Sequence, residues 1–130
     1  FEPDPLPTVV LSAQRTNREN VHLYHKTTAR DLYIRERQAA LAEGYYEVLF
    51  LNREGEVTEG SITNIFVRQG GRLLTPPAAC GLLAGTFRRR LLERDRAEEQ
   101  VLTRDDLLGA EAVYVGNSVR GLVRVTVQPE

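Results

Sequence analysis

Four short strand-like runs lie between residues 46 and 75, and tight turns separate them without room for a helix. The runs, in chain order, span residues 46–51, 56–59, 64–68 and 72–75. The turn Asn52-Arg53-Glu54-Gly55 joins the first two, and Gln69-Gly70-Gly71 joins the last two. Short loops rich in glycine and asparagine connect antiparallel neighbours, because these residues adopt the backbone angles of tight turns. The region therefore predicts two consecutive β-hairpins.

Helical patterns and further strands flank these hairpins. Apolar residues recur near helical spacing from Thr28 to Leu41, and Gly44 has the position of a C-terminal cap. A second helix is predicted over residues 86–94, with one apolar face formed by Phe87, Leu91 and Leu92. A third and shorter helix should begin at Thr103-Arg104-Asp105-Asp106, which has the spacing of a capping box. The remaining predicted strands span residues 8–11, 112–115 and 122–127.

Composition narrows the class of protein. With 130 residues and a formal net charge of -1, the chain is long enough for one domain, and its charge indicates neither a nucleic-acid nor a membrane partner. No apolar run approaches the roughly 20 residues that span a bilayer, so a cytoplasmic location is expected. The proline-rich residues 1–7 predict an extended linker before a domain over residues 8–130. Cys80 is the only cysteine, so we expect no disulfide within the chain and no metal site.

Lys26 is the only lysine among 17 basic residues. Arginine serves wherever a surface charge alone is needed, but only lysine offers an amine that can condense with an aldehyde. Apolar surroundings or a helix start disfavour the ammonium form and make the neutral amine available. Lys26 is therefore a candidate for a Schiff base with pyridoxal phosphate. The alternative is an ordinary solvated lysine.

Three later features could complete a cofactor site. Glu59 lies at a predicted strand end, where a carboxylate could pair with the protonated pyridine nitrogen of the cofactor. The segment Leu83-Ala84-Gly85-Thr86-Phe87-Arg88 opens a helix whose unpaired amides can hold an anion. Ser118, in a predicted turn, offers a hydroxyl and an amide as second phosphate ligands. Each feature alone has an ordinary structural explanation, whereas their order along the chain is more specific.

Taken together, these segments resemble the class IV aminotransferase family of fold-type IV pyridoxal-phosphate enzymes, over about residues 9–127. The resemblance implies that Lys26 is the Schiff-base lysine and that Glu59 contacts the pyridine nitrogen. It also implies that Thr86, Phe87 and Ser118 bind the phosphate. The implied fold is a mixed α/β (α+β) domain, the large C-terminal domain of these enzymes, with a largely antiparallel curled sheet and outer helices.

Within the family, three segments look most like aminodeoxychorismate lyase domains: His25-Lys26-Thr27-Thr28, Thr58-Glu59-Gly60-Ser61 and Gly116-Asn117-Ser118-Val119-Arg120-Gly121. The resemblance implies a small-molecule substrate, aminodeoxychorismate, which is converted into pyruvate and para-aminobenzoate, a folate precursor. Arg30 and Arg120 are candidates for holding substrate carboxylates, although a surface ion pair explains each equally well. A homodimer is implied for the complete enzyme.

Two departures from the family pattern keep alternatives open. Many of its aminotransferases have tyrosine five residues after the lysine, where this chain has Asp31. A complete member also has a smaller domain before the lysine strand, which supplies a phosphate-binding arginine and one wall of the substrate pocket. We therefore expect this chain alone to hold an incomplete and inactive site. The alternatives are a branched-chain or D-amino acid aminotransferase and a non-catalytic truncated domain.

Overall fold

A computed structural model describes residues 5–20 and 30–130. Within these ranges, eight strands form one sheet: β1 Thr8–Thr16, β2 Glu47–Asn52, β3 Val57–Gly60, β4 Asn64–Gln69, β5 Arg72–Thr75, β6 Glu98–Glu99, β7 Ala112–Asn117 and β8 Gly121–Gln128. The helices of the same ranges are α1 Asp31–Ala42, α2 Thr86–Glu93 and α3 Arg104–Leu108, with a 3-10 turn at Ala78–Cys80.

The sheet is mixed and curls until it meets itself. The strand order is β3-β2-β1-β8-β7-β4-β5-β6, and an additional pairing between β3 and β4 closes six of these strands into a ring. That closure is made where Glu59 pairs with Asn64. Strand β1 runs parallel to both of its neighbours, β2 and β8, whereas the other pairs of the ring are antiparallel. The predicted fold, a largely antiparallel curled sheet, is confirmed.

Alternate residues of the strands pack on the two faces of the sheet, because successive side chains of a strand point in opposite directions. Leu49, Ile65 and Val113 belong to the inner cluster, to which α3 adds Leu107. Val48 and Phe50 pack with Tyr33 of α1 on one part of the outer face. Phe66 and Tyr114 pack with α2 on another part, through the three apolar residues Phe87, Leu91 and Leu92. Strands covered on both faces read as continuous apolar runs, which is the pattern of β2.

Most of the predicted elements are confirmed within a few residues. The two hairpins form as expected, and Gly44 follows α1 with a φ of 90° that favours glycine. The capping box is present, since the Thr103 side chain accepts from the Asp106 amide and the Asp106 carboxylate accepts from the Thr103 amide. The predicted start of α1 at Thr28 lies outside the described residues.

The structure differs from the predicted elements in two places. Strand β1 continues to Thr16 rather than ending at Leu11, because a register shift lets its second half pair with β2. Strand β6 was not predicted, since two exposed glutamates carry no strand pattern. Helix α2 keeps its predicted apolar face and also buries Arg88, whose guanidinium contacts the Pro76 carbonyl at 3.0 Å and the Glu99 carboxylate at 2.5 Å.

Cys80 is a free cysteine and is buried, as small hydrophobic side chains commonly are. Burial, together with the nearby carboxylate of Glu56, raises the pKa of the thiol to about 11. The thiol is therefore protonated at neutral pH and is a poor nucleophile.

Among the described helices, none is long and apolar enough to cross a membrane.

Candidate active site

A cavity of about 480 Å³ opens where the ring of strands closes. It lies between the β3–β4 connection, the start of α2 and the β7–β8 turn, and it is lined by Arg30, residues 59–64, Leu83, residues 85–87 and residues 117–119. Three apolar side chains of its lining, Ile62, Leu83 and Val119, are exposed by 39% or more of their surface. The cavity thus combines polar groups with an apolar rim, as sites for small organic molecules do.

Glu59 places a carboxylate in this cavity from the penultimate position of β3. The residue is only 4% exposed, and its Oε1 accepts a hydrogen bond of 3.2 Å from the Leu83 amide. A carboxylate in such a poorly hydrated position interacts strongly with a cationic partner, because little water screens the pair. Glu59 can therefore bind and stabilise a protonated ring nitrogen.

The start of α2 presents backbone amides to the same cavity. Gly85 is the N-cap, and no described side chain caps the helix. The first amides of a helix have no intrahelical acceptor, so those of Thr86 and Phe87 remain available to an anion. Asn64 fixes this segment, since its Nδ2 donates to the Leu83 carbonyl at 3.0 Å and its Oδ1 lies 2.8 Å from where a Gly85 Cβ would stand. Any larger residue at Gly85 would collide with Asn64.

The β7–β8 turn is held by Asn117, the last residue of β7. Its Oδ1 accepts from the amides of Val119, at 3.0 Å, and Arg120, at 2.8 Å. Its Nδ2 donates across the cavity rim to the Ile62 carbonyl at 3.1 Å. The exposed Ser118 follows in this turn and lines the same cavity as the start of α2, so its hydroxyl and the helix amides are candidates to bind one anion.

Glu47 stabilises the β3–β4 connection, which lines the site. Its side chain is fully buried at the first position of β2, and its carboxylate accepts from Ser61, Ile62 and Thr63. Gly60 passes so close that a Cβ there would lie 2.7 Å from Glu47 Oε2 and 2.4 Å from Thr63 Oγ1. The connection that follows Glu59 is thus held in place by its contacts with Glu47.

The candidate residues named from the sequence fall into three groups. Five of them, Arg30, Glu59, Thr86, Phe87 and Ser118, line the one cavity. Lys26 lies outside the described residues. Arg120 is not among the described residues of the lining, and its guanidinium carbon lies 5.0 Å from the centroid of the Tyr46 ring. The roles assigned to these residues remain predictions.

Sequence reasoning did not identify Glu47, Asn64 and Asn117. The one available signal was at Glu47, a charged residue that opens an apolar strand and must be paired if it is buried. No such signal distinguishes Asn64, because the Leu83 carbonyl that it contacts lies 19 positions away in the chain. Asn117 lies in a predicted turn and contacts the nearby amides of Val119 and Arg120, but its contact with the Ile62 carbonyl spans 55 positions.

Comparison with known proteins finds members of one enzyme family that are similar to this chain along nearly its whole length. The family model for amino-transferase class IV matches residues 1–127. A Schizosaccharomyces pombe protein, provisionally named an aminodeoxychorismate lyase, is 34% identical over 95% of this chain, and the Saccharomyces cerevisiae aminodeoxychorismate lyase is 33% identical over 92%. The chain spans only 57% and 37%, respectively, of the lengths of these two relatives.

A solved structure shares the fold. A Mesorhizobium loti protein, provisionally described as an amino-acid aminotransferase, superposes with a TM-score of 0.87 and is 42% identical. The match covers 96% of this chain and 61% of the other. The chain therefore corresponds to one part of a longer protein in each of these comparisons.

Proposed function

The chain belongs to the class IV amino-transferase family, whose cofactor is pyridoxal phosphate, and we propose that it is the lysine-bearing part of an aminodeoxychorismate lyase. The reaction converts 4-amino-4-deoxychorismate into pyruvate and para-aminobenzoate. We therefore propose 4-amino-4-deoxychorismate as the substrate. We also propose that the complete enzyme is a homodimer.

One observation carries the choice of a lyase. Both curated relatives described above, which match more than nine-tenths of this chain, bear the name aminodeoxychorismate lyase. A local feature agrees with it: Asp31, the first residue of α1, stands where the resemblance places a tyrosine in many aminotransferases. An exposed aspartate cannot provide the phenol group of that tyrosine.

The described residues fit pyridoxal phosphate. The buried carboxylate of Glu59 suits its pyridine nitrogen, while the uncapped amides at Thr86 and Phe87 suit its phosphate, with Ser118 beside them. When bound, the cofactor supplies an electron sink for the substrate carbon that bears the amine. Lys26 is proposed as the residue that attaches the cofactor through its amine.

The chain's own residues then have separate tasks. Glu59 holds the proton on the ring nitrogen, because a carboxylate next to that nitrogen favours the charged form. The α2 amides and Ser118 orient the phosphate and so fix the ring in the cavity. The neutral amine of Lys26 moves a proton away from the substrate ring as the carbon–oxygen bond to the pyruvyl group breaks. Arg30, which lines the cavity, is proposed to attract a substrate carboxylate.

Product analysis tests this proposal. We expect the full-length protein that contains this chain to release pyruvate and para-aminobenzoate in equal amounts from 4-amino-4-deoxychorismate when pyridoxal phosphate is present. Para-aminobenzoate is followed by its fluorescence, and pyruvate by a coupled dehydrogenase. Absence of both products, in protein that has bound the cofactor, would contradict the lyase assignment.

An aminotransferase is the second candidate, and the Mesorhizobium loti structure, 42% identical, favours it. The discriminating reaction uses a branched-chain or D-amino acid donor with 2-oxoglutarate, since a transaminase forms glutamate and a lyase does not. A full-length protein that binds no cofactor would instead support the third candidate, a non-catalytic domain.

The 130-residue chain by itself should bind the cofactor weakly. The complete family members add an arginine contact to the phosphate, and losing one charge-assisted contact costs about 1.5–3 kcal/mol. That loss corresponds to roughly ten- to a hundredfold weaker binding. The site would also stay open to water, so we expect little or no lyase activity. Titrating this chain and the full-length protein with pyridoxal phosphate, side by side, measures the difference. Equal affinity and equal turnover would show that this chain is a complete enzyme.

A further inference from the structure

Glu47 is a fully buried carboxylate that the proposed reaction does not use. Its Oε2 accepts from the Ile62 amide at 3.1 Å and from Thr63 Oγ1 at 3.0 Å, while its Oε1 accepts from Ser61 Oγ and from the Val48 amide at 2.9 Å. All four partners donate to Glu47, so each of its two carboxylate oxygens accepts two hydrogen bonds.

Three of the four donors belong to the connection between β3 and β4. This connection lines the cavity directly after Glu59, and it also closes the ring of strands. The backbone at Gly60 packs directly against the Glu47 carboxylate, at a distance that excludes a larger residue. This close packing restricts the conformations that the connection can adopt. The position of Glu59 in the cavity thus depends on the contacts of Glu47.

Glu47 also lies close to helix α1. Arg37 Nη1 of α1 lies 3.7 Å from Glu47 Oε1, and within the described residues this buried nitrogen has no hydrogen-bond partner. Helix α1 begins at Asp31, immediately after Arg30, which lines the cavity, and a few residues after Lys26. One buried carboxylate therefore links the helix that follows the lysine segment to the connection that follows Glu59.

We propose that Glu47 is a positioning residue, which fixes the carboxylate of Glu59 relative to α1 and so to the pyridine nitrogen of the cofactor. This inference rests on the proposed function, since it concerns the same site. Glu47 contacts neither substrate nor cofactor and acts through the Ser61–Thr63 backbone and hydroxyls. A glutamate-to-glutamine substitution on α1, away from these contacts, should have no such effect on the cofactor.

The test compares Glu47→Gln with Glu36→Gln in the full-length protein. Glu36 is the matched control, because its carboxylate also joins α1 to the sheet, through Ser12 Oγ, without contacting the β3–β4 connection. The glutamine amide at position 47 would face donors and displace the connection. We expect kcat to fall about 10- to 100-fold, since displacements of about 1 Å are enough for such losses.

The deciding readout is the pH titration of the absorbance of bound pyridoxal phosphate, which does not depend on turnover. We expect Glu47→Gln to move the midpoint of this titration by about half a pH unit or more, because Glu59 then stabilises the charged ring nitrogen less well. Glu36→Gln should titrate like the wild type even if it melts earlier. Identical midpoints for the wild type and Glu47→Gln would overturn the inference.

A second pair of variants covers the case in which Glu47→Gln does not fold. Thr63→Val removes one donor to Glu47 and keeps the shape of the side chain, while Thr63→Ser keeps the donor. We expect the midpoint to shift in the valine variant and not in the serine variant, and no shift in either would overturn the inference. A wild-type protein that shows no cofactor absorbance would instead refute the proposed function, and this positioning role with it.

Discussion

Replacing Lys26 by alanine in the full-length protein is expected to lower lyase turnover by at least about 10³-fold, because both attachment of the cofactor and proton transfer would lose their amine. Lys26 is the only lysine, so no other lysine of this chain can take over. The measurement is para-aminobenzoate release at saturating substrate and cofactor. A loss of less than about tenfold would be too small for a group with either role.

Lys26→Arg is the matched control for charge. It keeps a cation at position 26, but a guanidinium is not deprotonated in proteins and cannot serve as an amine nucleophile. We expect it to be as inactive as Lys26→Ala. Borohydride reduction of the wild-type protein with bound cofactor, followed by peptide mapping, should place the adduct on Lys26. An adduct found only at the amino terminus would contradict the assignment.

The sequence predicted the local elements of the fold well because the signals for them are local. Gly70-Gly71 between two apolar runs predicts a hairpin, and both glycines have the positive φ that such a turn requires. Thr103 and Asp106 predict a helix start through contacts between residues only three apart.

The closure of the sheet could not be predicted from such signals. Strand β1 pairs in parallel with β8, so that Val9 is opposite Val127, and nothing near either residue specifies the other. The single pairing of Glu59 with Asn64 also depends on how the two sheet halves meet. The fold class was therefore anticipated through the resemblance to a family, whereas periodicity predicted only its elements.

The residues of the candidate site also divide into those with a local sequence signal and those that depend on distant contacts. Glu59, Thr86 and Ser118 were found because their chemistry is visible in short motifs, and the structure brings them to one cavity. Glu47 and Asn64 belong to no such motif. They act by hydrogen bonds to groups that are distant in sequence, so only the folded chain reveals them.

Replacing Glu59 by glutamine should separate catalysis from cofactor binding. Glutamine keeps the shape of the side chain, and its carbonyl oxygen can still accept the 3.2 Å hydrogen bond from the Leu83 amide, so the cavity should retain its form. The negative charge is lost, and with it the stabilisation of a protonated ring nitrogen in a position that is only 4% exposed. A preorganised charge in such a site is typically worth about 10²- to 10³-fold in turnover.

We therefore expect Glu59→Gln to lower kcat by about 10²-fold or more, while cofactor affinity falls less than about tenfold, because the phosphate contacts at Thr86, Phe87 and Ser118 remain. The matched control is Glu54→Gln, which removes an exposed carboxylate of the β2–β3 turn that does not line the cavity. Both variants are compared with the wild type in turnover and in cofactor titration. If Glu59→Gln turned over as fast as the Glu54→Gln control, Glu59 would be only a strand-end charge that holds the Leu83 amide. The electron sink would then have to be stabilised without a carboxylate at the ring nitrogen.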